Sequence, residues 1–336
     1  MTNMEWRVTA TPPTRRSLTY HGMLDTAVCT YQHLFNKIVE MSQRMVDYGM
    51  FYAYWAQDWE TTPTELIERI ERANDIGFDI LEINCNAVID WEQESIAQVR
   101  EHAEETDIKL TFATSLTEDA DISAHDPEVR ERGIDRLTAS IETVDNFGGE
   151  YLGGIIYGPW NSSFKGGLDE KAARTERAIE AWQDVSDLAE THGVTCTVEV
   201  VNRFEQFMLN TAEEAREFVE RVDSPNLQIM LDTFHMNIEE DDMAAAIETA
   251  GDQLGHFHVG ENNRRPPKDG GNIPWEDIGT ALREVNYDGP VVMEPFMLPG
   301  GSVAQDIGIW RDLSQDIDLD ATAEQSLAFL EEAIEG

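Results

Sequence analysis

Cysteine is scarce. Three residues in 336, Cys29, Cys85 and Cys196, with no Cys-x-x-Cys pair among them, give no basis for a disulfide framework or a thiolate zinc site. No apolar run approaches the roughly 20 residues that cross a bilayer as a helix, and the start of the chain does not read as a signal peptide, so a cytoplasmic location is expected. Basic side chains are also few. There are 24 Lys and Arg, five of them Lys, against 66 Asp and Glu, which leaves a formal net charge of −42. Such a surface repels nucleic acid and anionic membranes alike. No Gly-x-Gly-x-x-Gly turn follows the first apolar run, so the dinucleotide-binding fingerprint is missing. Low-complexity segments are missing as well.

What is present is the material of a large core. Apolar residues make up 41% of the chain and aromatics 9%, spread along its length. Disordered acidic segments lack both aromatics and periodicity, so this is a folded protein with an acidic coat. A dense carboxylate surface suits a high-salt cytoplasm, where screening removes most of the self-repulsion. Residues 1–44 do not share the acidic bias. They hold five Lys/Arg and three Asp/Glu, a net +2, leaving −44 on the other 292 residues. Two readings of 1–44 stand about even. One is a disordered extension or an upstream sequence brought in by a wrong start codon. The other is an N-terminal helix packed on the folded unit.

From residue 49 onward, short apolar runs alternate with amphipathic stretches. The runs are 50–55, 78–84, 108–114, 151–157, 194–201, 227–232, 254–259 and 290–296. Helical stretches separate them. The first has Thr62 as N-cap, Pro63 at the first helical position, Glu65 where a capping box needs it and Gly77 as the stop. Others run over 126–148 and 169–193. Shorter ones follow the fifth to seventh runs, and a last one closes the chain. Strict β–α alternation implies a parallel sheet. Eight units imply a closed (β/α)8 TIM barrel, a single domain over 45–336 with 1–44 as an unmatched N-terminal extension.

In such barrels the C-terminal ends of the strands build the site. Four of the last runs each offer a metal ligand there: Glu199, Asp232, His258 and Glu294. Two Glu, one Asp and one His form a hard, oxygen-rich set with one imidazole, which suits Mn²⁺, Mg²⁺ or Co²⁺ better than a thiolate-seeking metal. A carboxylate inside an apolar run must be paired or bound to a metal. The acidic run 239–242 is read instead as a helix start with a solvated face. His256 and His258 alternate about Phe257 and so share one face; one of them is a core or supporting histidine. The Gly300–Gly301–Ser302 turn could cradle a phosphate, but no basic residue lies near it in sequence, which favours an unphosphorylated substrate.

These segments carry a resemblance. EVVNRFE (199–205), MLDTFHMNIEED (230–241), GHFHVGENNRRPP (255–267) and MEPF (293–296) resemble those of the D-tagatose/D-psicose (allulose) 3-epimerases, within the xylose-isomerase-like barrels. FYAYWAQDW, GGIIYGPW and WRDLS extend the likeness from about Tyr48 to the C-terminus, and 1–44 have no counterpart. The resemblance implies one divalent metal per subunit, Mn²⁺ or Co²⁺, on Glu199, Asp232, His258 and Glu294, with Glu199 and Glu294 also the catalytic pair. It favours His258 over His256 as the ligand. It implies substrate contacts from Glu205, His235 and Arg264, and from the aromatics Trp59, Trp160 and Phe51. Phe51, Ile155 and Cys85 lie where family members differ in sugar preference. The members are commonly dimers or tetramers, so a homodimer or homotetramer acting on a small free sugar, without nucleic acid or membrane partners, is expected.

The implied reaction inverts C3 of a free ketose, of the D-psicose/D-fructose or D-tagatose/D-sorbose type, through a cis-enediolate. The C3 proton is α to the C2 carbonyl, so a metal at the C2 and C3 oxygens and two opposed carboxyl groups meet the chemical need. An aldose–ketose or hydroxypyruvate-type isomerase would use the same site and differ only in product. A metallo-phosphodiesterase like the apurinic endonucleases needs more His ligands and a basic face, which eight His and a charge of −42 do not supply. A sugar-binding barrel without activity has no use for two opposed carboxylates.

Overall fold

The computed structural model describes residues 44–336. Within them, eight parallel strands close in sequence order: β1 (Tyr48–Phe51), β2 (Ile80–Asn84), β3 (Lys109–Leu116), β4 (Tyr151–Pro159), β5 (Thr195–Glu199), β6 (Leu227–Asp232), β7 (Leu254–Val259) and β8 (Val291–Met293). β1 pairs with both β2 and β8, so the expected (β/α)8 barrel is formed. The expectations for residues 1–43 lie outside the described residues.

The helices follow from local signals. α1 (Pro63–Ile76) has the full capping box at Thr62 and Glu65 and ends at Gly77 in the left-handed region, φ 107°. α2 (Gln93–Thr106) fills the β2–β3 crossover, which the sequence reading left without a helix. Its buried face is only Ile96, Val99 and Ala103, a weak periodic signal. α3 (Pro127–Asn146), α4 (Leu168–His192), α5 (Ala212–Val222), α8 (Trp275–Glu284) and α10 (Leu319–Glu335) match their amphipathic stretches. The 239–242 acidic run is not one helix start. α6 (Thr233–Glu239) ends in it, and α7 (Met243–Ala250) begins after it, with Asp242 accepting from the N–H groups of Ala244 and Ala245. A short α9 (Gly301–Ile307) follows β8.

Two strand expectations shift. The run at 50–55 turns into a 3-10 helix at Tyr52–Trp55 after β1, and β8 stops at Met293, so Glu294 lies just beyond its strand. Pairing in β6 and β7 slips by one residue between Ile229 and Met230, which brings Asp232 level with His258. Without that slip Asp232 would face Phe257, and ligand and imidazole would point to opposite sides of the sheet. The two ends of the barrel meet: the Met45 N–H lies 3.0 Å from the Glu335 carboxylate, and Tyr48 Oη donates to the same group at 3.3 Å.

The core has two shells. One packs strands against helices and holds Trp182, Phe112 and Phe218. The other fills the barrel and is unusually polar, with Glu82, Thr111 and His256 each at most 2% exposed.

Candidate active site

The C-terminal end of the barrel holds an open cavity of about 520 Å³. Its floor and walls include Glu199, Glu205, His235, Arg264 and Glu294, with Phe51, Trp59 and Trp160 among the aromatics. Asp232 and His258 lie beneath, each 1% exposed. All ten residues singled out from the sequence therefore meet in one place, and Ile155 joins the wall. Cys85 does not. Its thiol points toward the carbonyl of Ser140 in α3 at 3.8 Å, away from the cavity, so it does not touch a ligand there.

Strand geometry positions each group. Glu199 and Asp232 end β5 and β6, and His258 is one residue from the end of β7. The ligand atoms of Asp232, His258 and Glu294 all lie within 4.8 Å of one another, as do those of Glu199, Asp232 and His235. His258 Nδ1 stands 3.8 Å from Glu294 Oε2 and 4.0 Å from Asp232 Oδ2, and it has no hydrogen-bond partner among the described residues. Ligands about 2.1 Å from a small divalent ion are separated by roughly 3.0–4.2 Å. A buried imidazole nitrogen facing carboxylates at these separations fits a divalent cation between Asp232, His258 and Glu294, with Glu199 close to Asp232.

The electrostatics fit the same reading. Burial and the neighbouring Glu294 charge push the Glu199 carboxyl well above its ordinary value. Burial also raises Glu294, only partly offset by His258 and Arg264, to about 7. Burial would raise Asp232 too, but His235, Arg264 and His258 outweigh it and hold the carboxyl below its usual range. Three acidic groups out of water call for positive charge. Arg264 supplies some of it. Its Nη1 donates to Glu294 Oε2 at 2.8 Å and lies 3.5 Å from Asp232 Oδ2, while the guanidinium sits 3.8 Å from the centre of the Phe234 ring. Arg264 adopts a left-handed backbone, φ 61°, uncommon for a residue with a side chain and often found at functional sites.

His235 is oriented by its neighbour. Nδ1 accepts from the Asn202 backbone N–H at 3.2 Å, so Nε2 carries the proton and points into the cavity, 3.6 Å from Glu199 Oε1. Burial lowers its pKa and keeps the ring neutral, although Asp232 and Glu205 pull the other way. Glu205 accepts from Trp160 Nε1 at 3.0 Å and from Asn202 Nδ2 at 2.9 Å. Trp59 lies edge-on to Trp160 and to Phe296, and its Nε1 donates to Asp306 at 2.7 Å.

The Gly300–Gly301–Ser302 turn is closed to anions. The Ser302 N–H donates to Asp58 at 2.8 Å and its hydroxyl to the same oxygen at 3.1 Å, so an acidic side chain stands where a phosphate would bind.

Sequence reasoning missed Glu82. It lies mid-strand in β2, between Leu81 and Ile83, fully buried, and touches both His256 and His258. A carboxylate inside an apolar run was the available signal, the same one that marked Glu199. Asn202 and Phe296 were also passed over, and nothing in their local pattern sets them apart.

A family profile described as Xylose isomerase-like TIM barrel matches residues 70–333. The D-psicose 3-epimerase of Ruminiclostridium cellulolyticum is 39% identical over 285 residues, spanning 84% of this chain and 96% of that protein. The D-psicose 3-epimerase of Agrobacterium fabrum is 38% identical over 285 residues, spanning 84% and 97%. The crystal structure of D-psicose 3-epimerase with D-tagatose from Clostridium cellulolyticum H10 superposes with a TM-score of 0.82 at 38% identity, covering 86% of this chain and 99% of that one. With the fold, the four co-linear motifs and these relatives in agreement, the chain belongs to the D-tagatose/D-psicose 3-epimerase family of xylose isomerase-like TIM barrels, isomerase-class sugar epimerases.

Proposed function

We propose that this chain inverts C3 of a free ketose, of the D-psicose/D-fructose or D-tagatose/D-sorbose type, with Glu199 and Glu294 as the acid–base pair and a cis-enediolate between them. The observation that carries the reading is the placement of the pair: Glu199, buried at the end of β5, and Glu294, half-buried just beyond β8, line the same cavity, and loss of solvation raises both in pKa. In the proposed cycle one member starts ionised and the other protonated. The ionised carboxylate takes the C3 proton from one face. The C–H electron pair becomes the C2–C3 double bond, and charge passes to the C2 oxygen. The protonated carboxyl then returns a proton to C3 from the opposite face, and the C2 carbonyl re-forms. The roles exchange for the reverse epimer.

Glu199, Asp232, His258 and Glu294 would hold a divalent cation, Mn²⁺ in preference to Co²⁺ or Mg²⁺, which would supply Lewis-acid stabilisation of the negative charge that develops on the sugar oxygens. Arg264 and the Nε2–H of His235 donate to substrate oxygens, while Glu205 fixes Trp160 and Asn202. Phe51, Trp59 and Trp160 offer apolar faces to the sugar's C–H edges. The occupied Ser302 turn favours an unphosphorylated substrate.

The test is a product assay on D-fructose, D-psicose and D-tagatose in D2O, in high salt, with Mn²⁺ and with EDTA. The expected result is deuterium at C3 and EDTA-sensitive interconversion of C3 epimers. Label at C1 or C2 with an aldose product would overturn the proposal in favour of an aldose–ketose isomerase.

The acidic composition supports a working environment of high salt in the cytoplasm, and the family supports a homodimer or homotetramer, to be checked by light scattering in multimolar KCl. Among the described residues no helix is long and apolar enough to cross a membrane.

A further inference from the structure

Beneath the cavity floor, a polar file runs into the barrel that the reaction does not use. Glu82 is 0% exposed in the middle of β2. Its Oε1 lies 2.5 Å from His258 Nε2. Its Oε2 accepts from Thr111 Oγ1 at 3.0 Å and lies 3.1 Å from His256 Nε2. All of these groups are at most 2% exposed, so the contacts are made without water.

We propose that Glu82 is a positioning residue for the cation site: by accepting the Nε2–H of His258 across the barrel, it fixes the tautomer and ring orientation that leave the Nδ1 lone pair facing Asp232 and Glu294. The inference rests on the reading of those residues as a metal site, and it names a part that the four ligands do not include.

Three observations carry it. An ionised carboxylate can only accept, so the short contact keeps a proton on Nε2 and makes Nδ1 the nitrogen that can give a lone pair to a cation. That Nδ1 is buried and has no hydrogen-bond partner among the described residues. The second carboxylate oxygen is held by Thr111, so Glu82 cannot rotate away, and His256 closes the remaining side. A metal-bound imidazole with its other nitrogen on a carboxylate is a recurrent arrangement, and the outer carboxylate both orients the ring and raises its basicity.

The same three groups, Glu82, His256 and His258, could themselves be taken for a second metal site. The 2.5 Å separation of Glu82 and His258 argues against it. Two ligands of one small cation stand roughly 3 Å apart or more, whereas 2.5 Å is the length of a short hydrogen bond.

The experiment uses the full chain in high salt. First, the wild-type protein labelled with 15N-histidine is examined by NMR with Mg²⁺ as a diamagnetic cation. One imidazole protonated at Nε2 and cation-shifted at Nδ1 is expected. The opposite tautomer would overturn the proposal with no variant needed. Second, Mn²⁺ is titrated calorimetrically into wild type and Glu82→Gln. One ion per wild-type chain is expected, with binding weakened about 10- to 100-fold in the variant and activity recovering as Mn²⁺ is raised. Equal affinity in a folded Glu82→Gln would refute the positioning role while leaving the site reading intact. Two ions per wild-type chain would refute it in favour of a second site. A wild type that binds no Mn²⁺ would refute the site reading and the positioning role together.

Discussion

Glu294→Gln separates the two halves of the proposed reaction. The change is nearly isosteric. It removes a proton acceptor from one face of the substrate and the negative charge that faces Arg264 Nη1 at 2.8 Å, and it leaves Glu199 in place on β5. Loss of one general acid–base group costs about 10²- to 10⁴-fold, or roughly 2.7–5.4 kcal/mol at 1.36 kcal/mol per decade. The remaining carboxyl is not weakened as a base. The Glu294 charge is one of the causes that raise Glu199, so its removal makes Glu199 easier to ionise. The variant should therefore fall by 10²-fold or more in interconversion, yet still exchange the C3 proton of the one epimer whose C3–H faces Glu199. Exchange in the other epimer should vanish. Parallel incubations of D-psicose and D-fructose in D2O, followed by loss of the H3 signal in proton NMR, read this directly. Mn²⁺ titration of the variant sets the cation concentration, so that a lost ligand is not mistaken for a lost base. Interconversion within tenfold of wild type, or equal exchange into both epimers, would refute the two-base assignment.

Four further outcomes are expected. EDTA should abolish activity and lower the melting temperature, because a cation present at about 100 times its Kd adds about 2.7 kcal/mol to the folded state; an unchanged melting curve would speak against the site. Glu294, raised to about 7 from an ordinary 4.5, binds more protons folded than unfolded between those values. Its contribution to the stability of the cation-free chain is therefore lost as pH rises from about 4.5 to about 7, and urea melts at fixed high salt should show this slope flattened in Glu294→Gln. Gly154→Ala should destabilise by roughly 1–3 kcal/mol or more, since φ there is 110° and a Cβ would lie 2.1 Å from the Thr114 carbonyl oxygen; denaturant midpoints check it. Stability should fall between multimolar and low salt as screening of the −42 charge is withdrawn, and a salt-independent midpoint would remove the high-salt reading.

Much of the barrel could be read from the sequence because its signals are local. The Thr62–Glu65 capping box, the Gly77 stop and the apolar runs ending in Glu199 and Asp232 each sit within a few residues. α2 was lost because its inward face is narrow, and a stripe of Ile96, Val99 and Ala103 barely rises above its charged surroundings. The split of 239–242 between two helices depends on which acid caps, and Asp242 wins through hydrogen bonds that no propensity reveals. Glu82 was passed over for a different reason: its partners His256 and His258 are more than 170 residues away in the chain, and only closure of the barrel brings them together. The one-residue slip that aligns Asp232 with His258 was equally out of reach, because register is a property of two strands and the sequence presents them one at a time.

The meeting of Met45 with Glu335 has a topological consequence. β1 is hydrogen-bonded to β8 as it is to β2, and the last helix ends against the residue from which the first strand departs. Over residues 45–336 the folded barrel is thus a ring in space, closed where the Met45 backbone N–H meets the Glu335 side chain at 3.0 Å. Where a ring is cut matters little to its contacts. With residues 1–44 removed, a short linker from Gly336 to Met45 and new termini opened in an exposed turn on the face away from the cavity would give a permuted chain with the same eight neighbours for eight strands and the same proposed ligands, now met by the ribosome in a different order.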